Sequence, residues 1–279
     1  FIENNKINHL IASGIPHCIE SWVFAYLLEN IYEGKIYIIE SSPIGGFASI
    51  YYGLDNLLPM NLGDEFKNIK SEEKEEFFKY VFLQKQAADS RDDRGRLSWL
   101  YDLDNFNAWK FKKIRHLPQR LIQFIYSKNQ FRKYFQKINR KFPLPKNSIV
   151  FFMHYQPEAS SLPLGKDFCE QYNAISTLRS CFSNEINIYV KEHPYTYKQP
   201  FDPRFRPPKY YEMINSLKGV SFIDPYYSSF DLIDQAGFVS TLTGKVGFQS
   251  LLRNKPVIVF GLANYRQHRC CHYYQSKSS

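Results

Sequence analysis

Four short segments in the second half of the chain carry residue types that bind anions or move protons. In the first, His154, Gln156 and Glu158 place an imidazole, a carboxamide and a carboxylate within five residues. Such a set can orient hydroxyl groups or serve acid–base steps, and Pro157 stiffens the loop that holds it. The alternative is that Glu158 and Ser160 only cap the next helix.

The second segment is Lys191-Glu192-His193-Pro194. Lys191 and His193 can together neutralise a phosphate, and His193 can donate a proton to a departing phosphate oxygen. The alternative is a histidine that ends a loop and meets no ligand.

The third segment, Ser228-Ser229-Phe230-Asp231, has the spacing of a capping box, with Ser228 three residues before Asp231. This spacing predicts a structural role at a helix start. The hydroxyl groups of Ser228 and Ser229, with the free N–H groups of a helix start, also suit a phosphate or a ribose.

The fourth segment runs from Thr241 to Ser250 and contains Thr243, Gly244, Lys245 and Gly247. Two glycines let the backbone approach an anion, the helix start directs N–H groups at it, and Lys245 adds a positive charge. The spacing fits neither a Walker A loop nor a dinucleotide fingerprint. A turn that serves packing alone is the alternative.

Short apolar runs alternate with helical stretches around these segments, which predicts a doubly wound parallel sheet. Each segment follows a predicted strand, and ligands of such sheets bind at the carboxyl ends of strands. The predicted strands are Ile149–Met153, Ile186–Lys191, Val220–Ile223, Phe238–Leu242 and Val257–Phe260, and the predicted helices are Asp167–Cys181, Tyr210–Leu217, Phe230–Ala236 and Phe248–Arg253.

The first half of the chain predicts a second unit of the same class. A strand at Leu10–Ser13, a helix at Glu20–Tyr32 and a buried strand at Lys35–Glu40 form a parallel βαβ unit. The polar loop that follows Glu40 holds two glycines and is a further candidate ligand loop. Prolines at 143 and 145 indicate a boundary, so we expect domains at 1–147 and 148–279.

A basic segment spans residues 105–145, where lysines, arginines and apolar residues alternate without any Asp or Glu. One interpretation is an amphipathic surface that rests on anionic lipid. The other is a pair of helices that cover the core and expose a basic face to solvent.

Composition bounds the class of protein. The net charge of +9 favours an anionic partner such as a nucleotide, a phospholipid surface or an acidic glycan. No recognised nucleic-acid motif is present, so nucleic acid is not expected. Five cysteines without a C-x-x-C pair predict no zinc site and a reducing, cytoplasmic setting. Without an initiator Met, and with a polar tail, the chain is interpreted as a truncated piece of a longer protein.

The four segments, in this order, resemble the capsule polysaccharide biosynthesis family, which includes the β-Kdo transferases (Kdo is 3-deoxy-D-manno-octulosonic acid). The matching stretches are His154–Gly165, Val190–Pro194, Asp224–Leu232 and Thr243–Tyr265. The resemblance implies a GT-B-like architecture, in which two Rossmann-like domains with parallel sheets face a cleft. It also implies a glycosyltransferase that uses a nucleotide sugar, with CMP-Kdo as the expected donor and a glycan or glycolipid as the acceptor.

The resemblance assigns roles to the candidate residues. Lys191 and His193 would face the donor phosphate, and a cleft carboxylate, Glu158 or Glu40, would serve the acceptor proton or the sugar centre. His154 and Gln156 would belong to the acceptor side. No metal and no cofactor are implied. The donor nucleotide would be lined by Ser228, Ser229, Thr243, Gly244, Lys245 and Gly247.

Two positions depart from the family pattern. Lys245 stands where the family has a small residue, and Gln249 stands where it has a glutamate. The stretch His268–Ser279 does not resemble the family, and the closing helices after the last strand are expected to be missing. These departures keep a second hypothesis open, a non-catalytic assembly or export module that binds polyanionic glycan with the same fold.

Overall fold

The computed structural model describes most of the chain outside its central stretch. The described residues are 2–16, 19–41, 48–54, 58–59, 142–156, 160–193, 209–225 and 227–274, with the single positions 75, 79, 122, 125, 129, 138, 196 and 206. The chain divides into two compact units, Phe1–Ala87 and Ala88–Ser279. The boundary expected between residues 147 and 148 stays a prediction, because nearly all of 88–141 lies outside the described residues.

The first unit is a four-stranded sheet with one helix. It contains β1 (His9–Ser13), α1 (Ile19–Asn30), β2 (Lys35–Ser41), β3 (Ala48–Tyr52) and β4 (Leu58–Pro59) in the order β1-β2-β3-β4. β1 and β2 are parallel, which confirms the predicted βαβ unit. Helix α1 packs its small and aliphatic residues Ala25 and Leu28 inward, and Ile36, Ile38 and Tyr51 of the sheet are also buried.

The sheet of the first unit differs from the prediction in one respect. β3 and β4 pair antiparallel with their neighbours, so this sheet is mixed and only its β1–β2 half is parallel. β4 has only two residues, too few for a pattern of period two, and β3 lies outside the strand–helix–strand pattern on which the prediction rested. The predicted ligand loop after Glu40 falls at 42–47, outside the described residues.

The second unit is a six-stranded sheet in which every pair is parallel. Its strands are β5 (Ser148–Phe152), β6 (Asn187–Lys191), β7 (Val220–Ile223), β8 (Phe238–Thr241), β9 (Val257–Val259) and β10 (Cys271–Tyr273), and its helices are α2 (Gln171–Cys181), α3 (Tyr210–Ser216), α4 (Ser229–Gln235) and α5 (Lys245–Leu252).

The strand order of the second unit is β10-β9-β8-β5-β6-β7. The chain first builds outward from β5 through β6 to β7, and then returns to the other side of β5 to lay down β8, β9 and β10. This is the Rossmann-like order, and its topological switch point lies between β5 and β8. The predicted α/β class, with a doubly wound parallel sheet, is therefore confirmed in this unit.

Helices cover both faces of the second sheet, because each strand buries residues on alternate sides. On one side Phe151 and Ile188 pack against α2 and α3, and on the other Val150 and Val239 pack against α4. All five residues of β5 are buried, as a continuous apolar run predicts for a strand covered on both faces.

The last strand of the sheet lies in a stretch for which the sequence predicts no strand. Cys271–Tyr273 forms β10 and pairs parallel with β9. Tyr274, which follows it, packs against Phe168 and Phe260. Three residues are too few for a strand signal in the sequence, and pairing with β9 supplies the strand geometry.

Candidate functional site

The four chemistry-bearing segments meet at one edge of the second sheet. β5, β6, β7 and β8 are neighbouring parallel strands, and one of these segments begins within about five residues of the end of each. The carboxyl ends of parallel strands lie on the same edge, so the fold itself gathers His154, Lys191, Ser228 and Thr243 there. Hydrogen bonds join these segments in pairs across the edge, His154 with Thr243 and Lys191 with Ser229.

His154 joins the ends of β5 and β8 across the switch point. The backbone N–H of Thr243 donates to its Nε2 at 3.2 Å, and its Nδ1 lies 3.2 Å from the Ser160 hydroxyl. The Thr241 hydroxyl donates to the Phe152 carbonyl at 3.1 Å and lies 3.2 Å from the same Nε2. Because Nε2 accepts from an amide, the neutral ring carries its proton on Nδ1.

The imidazole of His154 is held in its neutral form. Burial lowers its pKa to about 3, and the positive charges of His193 and Arg206 act in the same direction. Both ring nitrogens already contact protein groups, so the side chain braces the two strand ends. The predicted contact of His154 with an acceptor stays a prediction.

The turn between β8 and α5 approaches this ring closely. A Cβ atom at Gly244 would lie 2.9 Å from the Thr241 hydroxyl and 3.4 Å from two atoms of the His154 ring, so a glycine keeps the approach open. Gly244 is the N-cap of α5, and no side chain caps the helix there. Lys245, the first helical residue, is exposed.

Gly247 serves packing in this arrangement. A Cβ atom there would lie 2.2 Å from the Tyr265 hydroxyl, which in turn donates to the Gly244 carbonyl at 2.5 Å. Burial raises the pKa of Tyr265 well above its usual value, so this hydroxyl keeps its proton. The close approach of Tyr265 is therefore a structural reason for a glycine at position 247. The predicted contact of Gly247 with a nucleotide stays a prediction.

Lys191 and the two serines lie at the ends of β6 and β7. The Lys191 ammonium donates to the Ser229 hydroxyl at 2.9 Å and lies 5.8 Å from the centre of the Phe152 ring. The Ser228 hydroxyl accepts the Asp231 N–H at 3.0 Å, which confirms the predicted helix cap. Lys191 is only 5% exposed, and these polar and aromatic contacts hold its positive charge at the edge of the sheet.

His193 follows β6 by two residues, as His154 follows β5, and these strands pair with Phe152 opposite Lys191, so the two histidines follow neighbouring strand ends. A positive charge on His193 lowers the pKa of the His154 ring. The His193 ring is half-buried and its centre is 6.2 Å from that of Tyr155. His193 and the Gly244 turn are therefore both neighbours of one residue, His154, and belong to the same edge of the sheet.

Sequence patterns missed three buried polar residues behind this edge. The Gln171 carboxamide accepts the His154 N–H at 2.7 Å and donates to the His154 carbonyl at 3.1 Å, as a neighbouring strand would. Arg206 and Glu192 form an ion pair in which both side chains are almost completely buried. Glu192 carried a weak signal, an acid beside a predicted phosphate site, whereas Arg206 and Gln171 lie in segments without a motif.

Gln156 is part of the same buried network. Its amide nitrogen donates to the Cys169 carbonyl at 2.8 Å, and its oxygen accepts from Gln171 and Arg206, each at 2.8 Å. It is 9% exposed, so its first role here is to hold the loop after β5. Its predicted place on the acceptor side stays a prediction.

The two predicted catalytic carboxylates, Glu158 and Glu40, are not part of the described edge of the second sheet. Glu158 lies outside the described residues. Glu40 lies on β2 of the first unit, opposite Ser49 of β3, and each unit is described by itself.

The basic segment 105–145 also lies almost wholly outside the described residues. In the described part of the chain, no three His, Cys, Asp or Glu side chains come together as metal ligands, and no helix there is long and apolar enough to cross a bilayer.

Comparison with known families identifies the class of protein. The model of the capsule polysaccharide biosynthesis protein family matches residues 59–268, which is well over half of the chain. The chain therefore belongs to that family, as the four collinear segments indicate. The Rossmann-like strand order agrees with the GT-B-like fold that the resemblance implies. The comparison with curated proteins yields no match.

Solved structures give weaker likenesses. The β-Kdo 2,7 transferase of Thermosulfurimonas dismutans KpsC is 16% identical with a TM-score of 0.42, over 98% of this chain and 71% of that one. The β-Kdo 2,4 transferase of the same protein is 19% identical with a TM-score of 0.36, over 61% of this chain and 51% of that one. The UDP-GlcNAc 2-epimerase of Methanocaldococcus jannaschii is 11% identical with a TM-score of 0.36, over 98% and 67%.

Proposed function

We propose that the second unit binds the nucleotide sugar of a glycosyltransferase that acts in capsule polysaccharide biosynthesis. The observation that carries the proposal is the meeting of β5 and β8 at the switch point, where His154 ties the Thr243–Gly244 turn to the edge on which His193 lies. Open α/β sheets bind their ligands at this position. Family membership supplies the biological setting.

The proposed chemistry is cleavage of the bond between the sugar's anomeric carbon and a phosphate oxygen of the donor. The electron pair of that bond goes to the phosphate oxygen, and the acceptor hydroxyl forms the new bond and gives up its proton. His193 donates a proton to the departing oxygen or stabilises its charge, and the start of α5 directs N–H groups at the same phosphate.

Lys191 supplies a second positive charge, and its hydrogen bond to Ser229 orients it along the edge. Because the ammonium is nearly buried, its attraction for a phosphate is weakened less by water than that of a surface lysine. The carboxylate that takes the acceptor proton is proposed to be Glu158 or Glu40.

The donor we propose is CMP-Kdo, in line with the family to which the chain belongs. The acceptor is a growing glycan or glycolipid at the inner face of the cytoplasmic membrane, and the basic segment 105–145 is proposed to rest on anionic lipid there. The charge pattern of that segment supports this setting. Sedimentation of the protein with anionic and with neutral vesicles is the measurement that bears on it.

Calorimetry with CMP, CDP, UDP and GDP tests the proposed binding site. We expect CMP to bind most strongly of the four. His193→Ala should weaken CMP affinity by about 10- to 100-fold, because it removes one hydrogen bond to a charged group. His272→Ala is the matched control, since His272 is exposed on β10 at the edge of the same sheet. Equal affinity of wild type and His193→Ala would contradict the role of His193.

The second candidate, a non-catalytic module, is favoured by one observation, the exposed Lys245 at the start of α5 where the family has a small residue. If wild type binds polyanionic glycan and none of the four nucleotides, the result would favour the non-catalytic module over the glycosyltransferase.

A further inference from the structure

Arg206 and Glu192 are the two most deeply buried charged groups among the described residues of the candidate site. The Arg206 side chain is 1% exposed, and Glu192 is fully buried. Two parallel bonds join them, Nε to Oε2 at 2.8 Å and Nη2 to Oε1 at 2.9 Å. Burial, the largest single influence, lowers the pKa of Arg206. The charge and hydrogen bond of Glu192, together with Tyr210 and Tyr211, outweigh it and raise the pKa well above its usual value, so the pair is ionic.

A buried ion pair is weak evidence for stability, because apolar residues of the same volume often stabilise a fold as well. The geometry of this pair indicates another role. Besides Glu192 at the end of β6, the guanidinium contacts two groups after β5, donating from Nη1 to the Gln156 carboxamide oxygen at 2.8 Å and from Nη2 to the His154 carbonyl at 3.2 Å.

Glu192 passes the restraint on to the next residue. Its Oε1 accepts the backbone N–H of His193 at 2.9 Å, and its Oε2 accepts the Tyr211 hydroxyl of α3 at 3.0 Å. Arg206 also lies over the Tyr210 ring, 5.1 Å from its centre. One planar group therefore holds the backbone on both sides of the edge, His154 after β5 and His193 after β6.

We propose that Arg206 is a positioning residue, which sets the distance between His193 and the Thr243–Gly244 turn so that both reach one phosphate group. Two short chains of hydrogen bonds start at the Arg206 guanidinium. One runs through Glu192 to the backbone of His193, and the other runs through the His154 backbone and ring to the Thr243 N–H. The inference rests on the proposed function, because it takes the phosphate of the donor as the ligand.

The positioning role requires the planar, forked guanidinium group of arginine. Lysine at this position keeps the charge but presents a single nitrogen, which cannot meet Glu192, Gln156 and the His154 carbonyl in one plane. Arg206→Lys is therefore the informative variant.

Arg179 offers a matched control at the opposite edge of the sheet. It is also buried, and it donates to the carbonyl groups of Ile186, before β6, at 2.8 Å and of Phe182 at 2.9 Å. Arg179→Lys makes the same chemical change far from the candidate site, so it reports what the loss of a buried arginine fork does to the fold alone.

Two measurements test the inference. Calorimetry with CMP should show affinity at least tenfold lower in Arg206→Lys and within twofold of wild type in Arg179→Lys. Amide hydrogen exchange should become at least tenfold faster at His193 and Thr243 in Arg206→Lys, with Ile188 in β6 unchanged. CMP affinity within twofold of wild type in Arg206→Lys, or an equal loss in Arg179→Lys, would overturn the inference.

Failure of the proposed function is distinguishable from failure of this inference. If wild type binds no nucleotide, the proposed function fails, and the exchange experiment alone tests the positioning role of Arg206. Unchanged exchange at His193 and Thr243 in Arg206→Lys would then contradict that role. If Arg206→Lys does not fold, the double variant Arg206→Met with Glu192→Gln takes its place, because it leaves no lone buried charge. The same exchange and affinity limits apply to it.

Discussion

Acid should destabilise the second unit through His154, and the size of the effect follows from its burial. The folded protein holds the His154 pKa at about 3, against 6.5 for an ordinary histidine. Between these values the unfolded chain binds a proton that the folded protein does not, so stability falls as the pH falls. From pH 7.5 to pH 5.5 this linkage costs about 1.4 kcal/mol.

The control variant is His154→Gln, whose carboxamide oxygen can accept the Thr243 N–H in place of Nε2. The variant leaves all other titrating groups as they are, so their contributions cancel when the two proteins are compared. The free energy of opening is measured by amide exchange of Val150 and Val239, which are buried in β5 and β8. We expect wild type to lose about 1.4 kcal/mol more than the variant over this pH range.

Nuclear magnetic resonance gives an independent readout of the same ring. The His154 imidazole should show no titration between pH 8 and pH 5, with its proton on Nδ1 and Nε2 unprotonated. A ring that titrates near 6.5, or equal pH dependence in wild type and His154→Gln, would refute the reasoning that burial keeps His154 neutral.

Two further predictions concern local packing. Ser228→Ala removes the cap that accepts the Asp231 N–H and should lower the free energy of unfolding by about 1 kcal/mol; Ser180→Ala, an exposed serine in α2, is its control, and chemical denaturation measures both. Gly247→Ala places a methyl group against the Tyr265 hydroxyl and should cost about 1–3 kcal/mol. Unchanged stability in Gly247→Ala would mean that α5 shifts away from Tyr265 without loss.

The strands of the second unit were predictable because burial on both faces demands continuous apolar runs. All five predicted strands are present, with ends that differ by one residue at most, and so are four helices. Helix α5 begins at Lys245, three residues before its predicted start at Phe248, because the glycine-containing segment that suggested a turn is itself helical. β3, β4 and β10 were not predicted. β4 and β10 have only two and three residues, too few for a sequence signal, and β3 pairs antiparallel with β2, outside the strand–helix–strand pattern on which the prediction rested.

The candidate site was predictable in its position and only partly in its roles. Residue types and strand ends were enough to bring His154, Lys191, His193 and Gly244 to one edge. The resemblance places His154 and Gln156 on the acceptor side, and that role stays a prediction. The sequence did not show that both side chains are buried and contact Thr243, Cys169 and other protein groups in the folded chain.

By itself the sequence determined the family, the parallel sheet of the second unit and the edge at which its chemistry lies, because hydrophobic period and strand-end motifs are local properties. Only the tertiary structure decided that His154 is a neutral brace and that Arg206 joins two strand ends. Arg206 follows Glu192 by 14 residues and Gln156 by 50, and no local pattern links such positions. Burial and charge at that junction come from the whole fold, so they appear only once the strands are in place.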